Sequence, residues 1–191
     1  DYITNGGKPG AIHMFLGIAA STIKNWQYLR FCSSCVQQDR ERYGEAYWHM
    51  SHQLPKVFYC HIHQEILNDS TIEFRNPHKH EFISAEKAEL LSPHLVSVFS
   101  LKIEQQLKKL SDESFNLIHY AENTQIQDFT KIYKYLMQVN GYANHFGKVH
   151  QQYFTQQFKY YYGEEFLTLM DCNFDEHSDT SWLRSIVRKH R

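Results

Sequence analysis

Three of the four cysteines in this 191-residue chain fall within residues 28–67, YLRFCSSCVQQDRERYGEAYWHMSHQLPKVFYCHIHQEIL. Cys32 and Cys35 form a CxxC pair, and Cys60 and His63 form a CxxH pair after 24 intervening residues. Two such pairs, each presented by its own turn, supply the four sulfur and nitrogen donors that a tetrahedral zinc ion takes. Four protein ligands close the coordination sphere, so the chemistry expected is structural, one Zn2+ tying together backbone that a small core could not hold. A catalytic zinc would keep one position open for water. His61 lies inside the second pair and is an alternative donor, but the outer residues of an x2 pair are the usual ligands, which favours His63. The sequence His63-Gln64-Glu65 matches the H-x-E of zinc deaminases in form only, because it follows the cysteine pair instead of preceding it.

The elements that must carry these donors can be read from periodicity. Tyr28–Phe31 reads as a short extended segment entering the first pair, and Val36–Tyr43 as a helix ended by Gly44. Residues 46–54 (AYWHMSHQL) run up to Pro55, which favours an extended exit. Tyr47, Trp48 and Leu54 are expected to pack against the metal turns, while the histidines there are packing residues or phosphate contacts. Upstream, residues 1–9 read as a flexible lead-in, and Ile12, Phe15, Leu16, Ala19, Ala20 and Ile23 lie on one face of a helix over 10–24. Residues 68–80 read as irregular and polar.

The second half changes character. Ser92-Pro93 is a helix start, continued by Val96, Phe99, Ile103, Leu107 and Leu110. Ser111 is placed as the cap of a separate short helix through Phe115 and Ile118. Thr124 caps another that ends at Asn140-Gly141. A further helix carries Val149, Tyr153, Phe154, Phe158 and Tyr161 up to Gly163, a short one covers 164–170, and a last one starts at Ser181. The fold class expected is mainly α: a small zinc-knuckle lobe with short strands, followed by an all-α helical domain. Residues 1–88 form the first domain and 89–191 the second.

Composition narrows the classes. Apolar residues make up 42% of the chain, enough for a real core, and the net charge of −1 gives no global attraction to nucleic acid. No apolar run is long enough to span a membrane. Three clustered cysteines and one stray, Cys172, are no disulfide framework and fit a reducing compartment. The chain starts on Asp1 and ends inside a helix-like stretch, so it reads as an internal piece of a longer protein. Arg184, Arg188, Lys189 and Arg191 form either a solvated helix face or a phosphate-binding patch, and the spacing 184, 188, 191 favours the patch. Tyr160, Tyr161 and Tyr162 suggest an aromatic contact surface. The turn at 140–147 is only loosely like a helix-turn-helix.

The stretch RFCSSCVQQDRERYGEAYWHMSHQLPKVFYCHIHQEIL resembles the signature of the TniQ/TnsD family of bacterial transposon target selectors. The resemblance rests on both ligand pairs, on Arg42-Tyr43-Gly44-Glu45, on Tyr47-Trp48 and on Leu54-Pro55. AIHMFLGIAAS (11–21) and DTSWLRSIVRKHR (179–191) resemble flanking segments of the same family, whereas 85–178 is less distinctive. Such proteins often have Pro after the first cysteine of each pair; here Ser33 and His61 stand there, which leaves the ligands intact. The resemblance implies a non-enzymatic bacterial cytoplasmic protein with one structural zinc on Cys32, Cys35, Cys60 and His63. It also implies two partners, double-stranded attachment-site DNA and the AAA+ ATPase TnsC. The alternative is a module that contacts the ATPase and reads no DNA itself.

Overall fold

A computed structural model of the chain describes residues 23–75, 83–87, 99–121, 129–174 and Leu183. Strand β1 (Tyr28–Phe31) leads into helix α1 (Ser33–Tyr43), and a 3-10 turn spans Met50–Gln53. Strand β2 (Asn68–Glu73) and a 3-10 turn at Ala85–Lys87 come next. The helical half holds α2 (Leu101–Ala121), α3 (Phe129–Val139), α4 (Gln151–Tyr162) and α5 (Glu164–Leu169). The expected class holds: a small two-stranded lobe followed by helices. No described helix is long and apolar enough to cross a membrane.

β1 and β2 pair antiparallel, with Arg30 opposite Asp69 and Phe31 opposite Asn68, and an irregularity between Tyr28 and Arg30. A strand at 68–73 corrects the irregular reading of that segment. Its sequence NDSTIE has no alternating apolar pattern, so the strand is made by its partner and not by its own composition. Arg30 is the clamp. Its side chain is buried, and its guanidinium donates to Asp69 Oδ1 at 2.8 Å, to Val57 O at 2.7 Å and to Leu67 O at 2.9 Å. The same group lies 4.0 Å from the Trp26 ring centre. One planar cation thus serves two backbone carbonyls of the lobe and the part-exposed Asp69 carboxylate at once.

Two core clusters follow. Cys32, Cys35, Val57, Cys60 and Leu67 fill the lobe, with Leu54 against them. Tyr59, Ile103, Leu107, Phe166 and Met170 join the second metal-side turn to α2 and α5. α2 is one continuous helix through Ser111, whose hydroxyl donates back to Leu107 O at 3.0 Å, so Ser111 is an interior residue and not the cap of a new helix. The start of α2 lies at Leu101, where Ser100 Oγ accepts from Ile103 N, and Phe99 precedes the helix. Ile23 and Lys24, expected at the end of the leading helix, are not helical. The rest of that helix, the Ser92-Pro93 and Thr124 starts and the helix from Ser181 lie outside the described residues, except that Leu183 is helical and buried.

α1 starts three residues before Val36, since Cys32 takes the N-cap position, and it ends on Gly44 at φ 84° as expected. Likewise α4 ends at Gly163, φ 81°. Between α3 and α4, Ala143 and Val149 form an isolated antiparallel bridge. Asn144 Oδ1 accepts from Phe146 N at 3.0 Å and Lys148 N at 2.9 Å, closing a small hairpin where a loose helix-turn-helix linker was expected.

Candidate metal centre

The first ligand pair is placed by a helix start. Cys32 occupies the extended N-cap position of α1 and its carbonyl accepts the first helical bond, from Val36 N at 3.1 Å. Cys35 follows in the first turn, where the free N–H groups and the helix dipole favour a thiolate. No acidic residue occupies that turn to oppose it.

The second pair is placed by a tight turn. Cys60 N donates to Glu65 O at 2.8 Å, Gln64 N to Cys60 O at 2.9 Å, and His63 N points at Cys60 Sγ at 3.4 Å. Gln64 takes the left-handed conformation, φ 55°, that such a turn needs. Its side chain is tied by hydrogen bonds to His61 O and Asp112 Oδ1, both at 3.0 Å, which fixes the strained residue against α2.

The two turns meet so that Cys32, Cys35, Cys60 and His63 bring their donor atoms within 4.8 Å of one another. His63 Nδ1 lies 3.5 Å from Cys32 Sγ, 3.3 Å from Cys35 Sγ and 3.7 Å from Cys60 Sγ, and the sulfurs of Cys35 and Cys60 are 3.6 Å apart. Zinc bonds of about 2.3 Å to sulfur and about 2.0 Å to nitrogen give tetrahedral edges of about 3.8 and 3.5 Å. The observed separations are therefore those of a site that could hold one metal ion of this kind. All three cysteines are buried and none is in a disulfide. The electrostatics agree: hydrogen bonds with Cys32 and then Cys35 hold the Cys60 thiol far below its usual range. Those with Cys32 and Cys60 push Cys35 up, so protons crowd onto a cluster that a divalent cation would empty. At His63 burial acts to lower the pKa, but contacts with the Cys60 and Cys32 sulfurs outweigh it and the net shift is upward.

Around the donors lies a shell that the spacing of the cysteines does not reveal. Ser34 Oγ lies 2.7 and 2.8 Å from the two carboxylate oxygens of Glu65, and Glu65 Oε2 lies 3.5 Å from Cys32 Sγ. The H-x-E carboxylate is thus engaged in linking the two turns. His52 is 1% exposed, with Nε2 3.9 Å from Cys35 Sγ and no partner on Nδ1. Burial, then the neighbouring His49, pulls the His52 pKa down to about 4. His49 bonds the buried Asp39 at 2.9 Å and stacks on Tyr47 at 4.4 Å. These histidines are interior groups and not phosphate contacts. Trp48 donates to Ile83 O at 2.8 Å and packs edge-on to Phe31, and Leu54 packs on the cluster, but Tyr47 stays 46% exposed. His61 is turned to α2 and stacks on Phe115 at 3.8 Å, which leaves the metal side to His63.

The predicted basic patch, Arg184, Arg188, Lys189 and Arg191, lies outside the described residues. Of the tyrosine row, Tyr160 is 83% and Tyr161 57% exposed, whereas Tyr162 packs against Phe166. Cys172 is half-buried beside the second core.

Comparison with known proteins gives the same picture over most of the chain. Residues 3–67 match the TniQ family, and residues 107–191 match the family described as Tn7-like transposition protein D. The chain is 30% identical over 187 residues to the Transposon Tn7 transposition protein TnsD of Escherichia coli. That alignment covers 95% of this chain and 35% of the relative, so the chain spans about a third of the length of the curated protein it matches. With the first family match running through the Cys3His cluster and the second through the helical half, the chain belongs to the TniQ/TnsD family.

Proposed function

We propose that this chain is the metal-stabilised part of a transposition target-selection protein, one that binds attachment-site DNA and recruits the AAA+ regulator TnsC. The observation that carries the reading is the closed Cys3His cluster within the TniQ match. Cys32, Cys35, Cys60 and His63 would hold one Zn2+, and its role would be to fix the two turns and, through Gln64–Asp112 and His61–Phe115, their seat on α2. All four donors come from protein and none is left for water, which supports a targeting protein over an enzyme. The reading places it in the bacterial cytoplasm, where reduced thiols persist. It divides the chain into 1–88 and 89–191, a division compatible with family matches that end at 67 and resume at 107.

In this reading Arg184, Arg188, Lys189 and Arg191 contact DNA phosphates. The test is a gel-shift titration on attachment-site DNA at several salt concentrations, comparing wild type with the protein carrying Arg184→Ala, Arg188→Ala and Arg191→Ala. Each lost phosphate contact should flatten the salt slope by about one; an unchanged slope and affinity would remove the patch.

The exposed Tyr160 and Tyr161 and the near-zero net charge favour a second reading, a module that contacts the ATPase while DNA is read elsewhere. Pull-down with TnsC, with and without DNA, separates the two. Capture that is independent of DNA, with no DNA affinity of this part, selects the second.

A further inference from the structure

From Phe129 to Gly163 the chain contains no Asp or Glu, although the whole chain has 21. This stretch is α3, the hairpin and α4, and it carries Lys131, Lys134, Lys148 and Lys159 among many Gln, Asn and Tyr residues. Only Lys159 is in an ion pair, at 2.8 Å from Glu164; Lys131, Lys134 and Lys148 are exposed and have no acidic partner among the described residues.

Where α4 passes α2, the same character forms a groove of about 460 Å³ lined by Lys102, Gln105, Gln106, Lys109, Tyr160 and Tyr161. Gln106 Nε2 donates to Tyr161 O at 3.2 Å and holds the two walls together. Of the acids of α2, Glu104 is paired with Lys108 and Asp112 accepts from Gln64, while Glu113 lines an adjoining, mainly apolar groove that shares Gln106, Lys109 and Tyr161 with this one. Along α4, exposed Tyr153, Gln156 and Tyr160 stand at i, i+3 and i+7, a single face that leads from the groove to the hairpin. There Gln138 Nε2 binds the carbonyls of Asn144 and His145 at 3.1 and 3.2 Å. This bond pins the hairpin, with Lys148, to the end of α3, where Lys131, Lys134, Tyr135 and Gln138 share a face by the same spacing.

We propose that this acid-free groove and the α4 face beside it are a contact surface for the sugar-phosphate backbone of duplex DNA, separate from the basic run at the end of the chain. Lys, Gln and Tyr are hydrogen-bond donors of the kind that bind phosphate oxygens without reading sequence. α4 is about 18 Å long at 1.5 Å per residue, which matches about five nucleotide steps of one strand. A chain with no net positive charge can bind a polyanion only through such a local concentration of cations. The inference rests on the DNA-binding reading above and assigns it a second surface.

The test is fluorescence-anisotropy titration of a labelled mixed-sequence duplex with the full protein over a salt series. The variants are Lys102→Gln with Lys109→Gln, Tyr160→Ala, and the charge-keeping Lys102→Arg with Lys109→Arg, each checked for an unchanged melting temperature and metal content. The glutamine pair should flatten the salt slope by about two and weaken binding about tenfold or more near physiological salt, with the arginine pair restoring both. Tyr160→Ala should weaken binding with little change of slope. If wild type binds with a steep salt slope and the variants match it, this surface is overturned and the general reading survives. If wild type shows no salt-dependent duplex binding, both fall. Variants that keep DNA affinity but lose capture of TnsC would make the surface a protein contact and also overturn the inference.

Discussion

Arg30 and His52 lie outside the donor set but are buried in the lobe that carries it. Arg30 is buried between Trp26 and Phe58 and serves Asp69, Val57 O and Leu67 O at once; burial acts to lower its pKa, and the Asp69 carboxylate opposes that. Removing one partner of a buried pair strands the others, so Arg30→Ala should cost about 3 kcal/mol or more. Urea denaturation checks it, and a loss below about 1 kcal/mol would return Arg30 to an ordinary surface role. His52 gives a pH signature. Its pKa falls from an ordinary value near 6.5 to about 4, so the folded protein keeps it neutral while the unfolded chain takes up a proton. The stabilisation is complete above pH 6.5 and is lost as pH falls towards 4, by up to about 3 kcal/mol. Urea midpoints of wild type and His52→Gln across this window should diverge at neutral pH and converge in acid. Parallel curves would contradict the assignment. The four donors were legible in the sequence because ligand spacing is local. Arg30 and His52 were not, since burial and partners up to 39 residues away make their roles.

At the scale of elements, what local chemistry dictates was legible and what partners impose was not. α1 and α4 end at Gly44 and Gly163, and both adopt the positive φ that a side chain would resist. β2 escaped because NDSTIE has no strand pattern of its own; it is held by β1, by Arg30 on Asp69, and by the wholly buried Ser70. Ser111 misled for a related reason. A serine before a new apolar run looks like a cap, yet here α2 runs through it and the hydroxyl turns back to Leu107 O. Ser111→Ala distinguishes the two: loss of a cap costs about 1 kcal/mol, whereas an interior serine should change stability by less than about 0.5 kcal/mol or gain slightly. A thermal melt of this variant measures it, and a loss near 1 kcal/mol would restore the two-helix description.

For the whole molecule, the lobe and the helical half are joined where the second metal-side turn meets α2, through Gln64–Asp112, the His61–Phe115 stack and Tyr59 in the second core. Loss of the metal should therefore loosen α2 as well as the lobe. Hydrogen exchange after chelation is expected to rise in both 28–67 and 101–121, and a rise confined to the lobe would contradict this coupling. In the proposed reading Cys32, Cys35, Cys60 and His63 hold one structural zinc on which the lobe depends. The measurement that tests it most directly is metal content paired with thermal unfolding, for wild type and Cys60→Ser. About one zinc per chain is expected in wild type and little in the variant, with loss of the lobe's cooperative unfolding when metal is absent. A wild-type protein that is free of metal yet folded, with the melting temperature unchanged by Cys60→Ser, would contradict it.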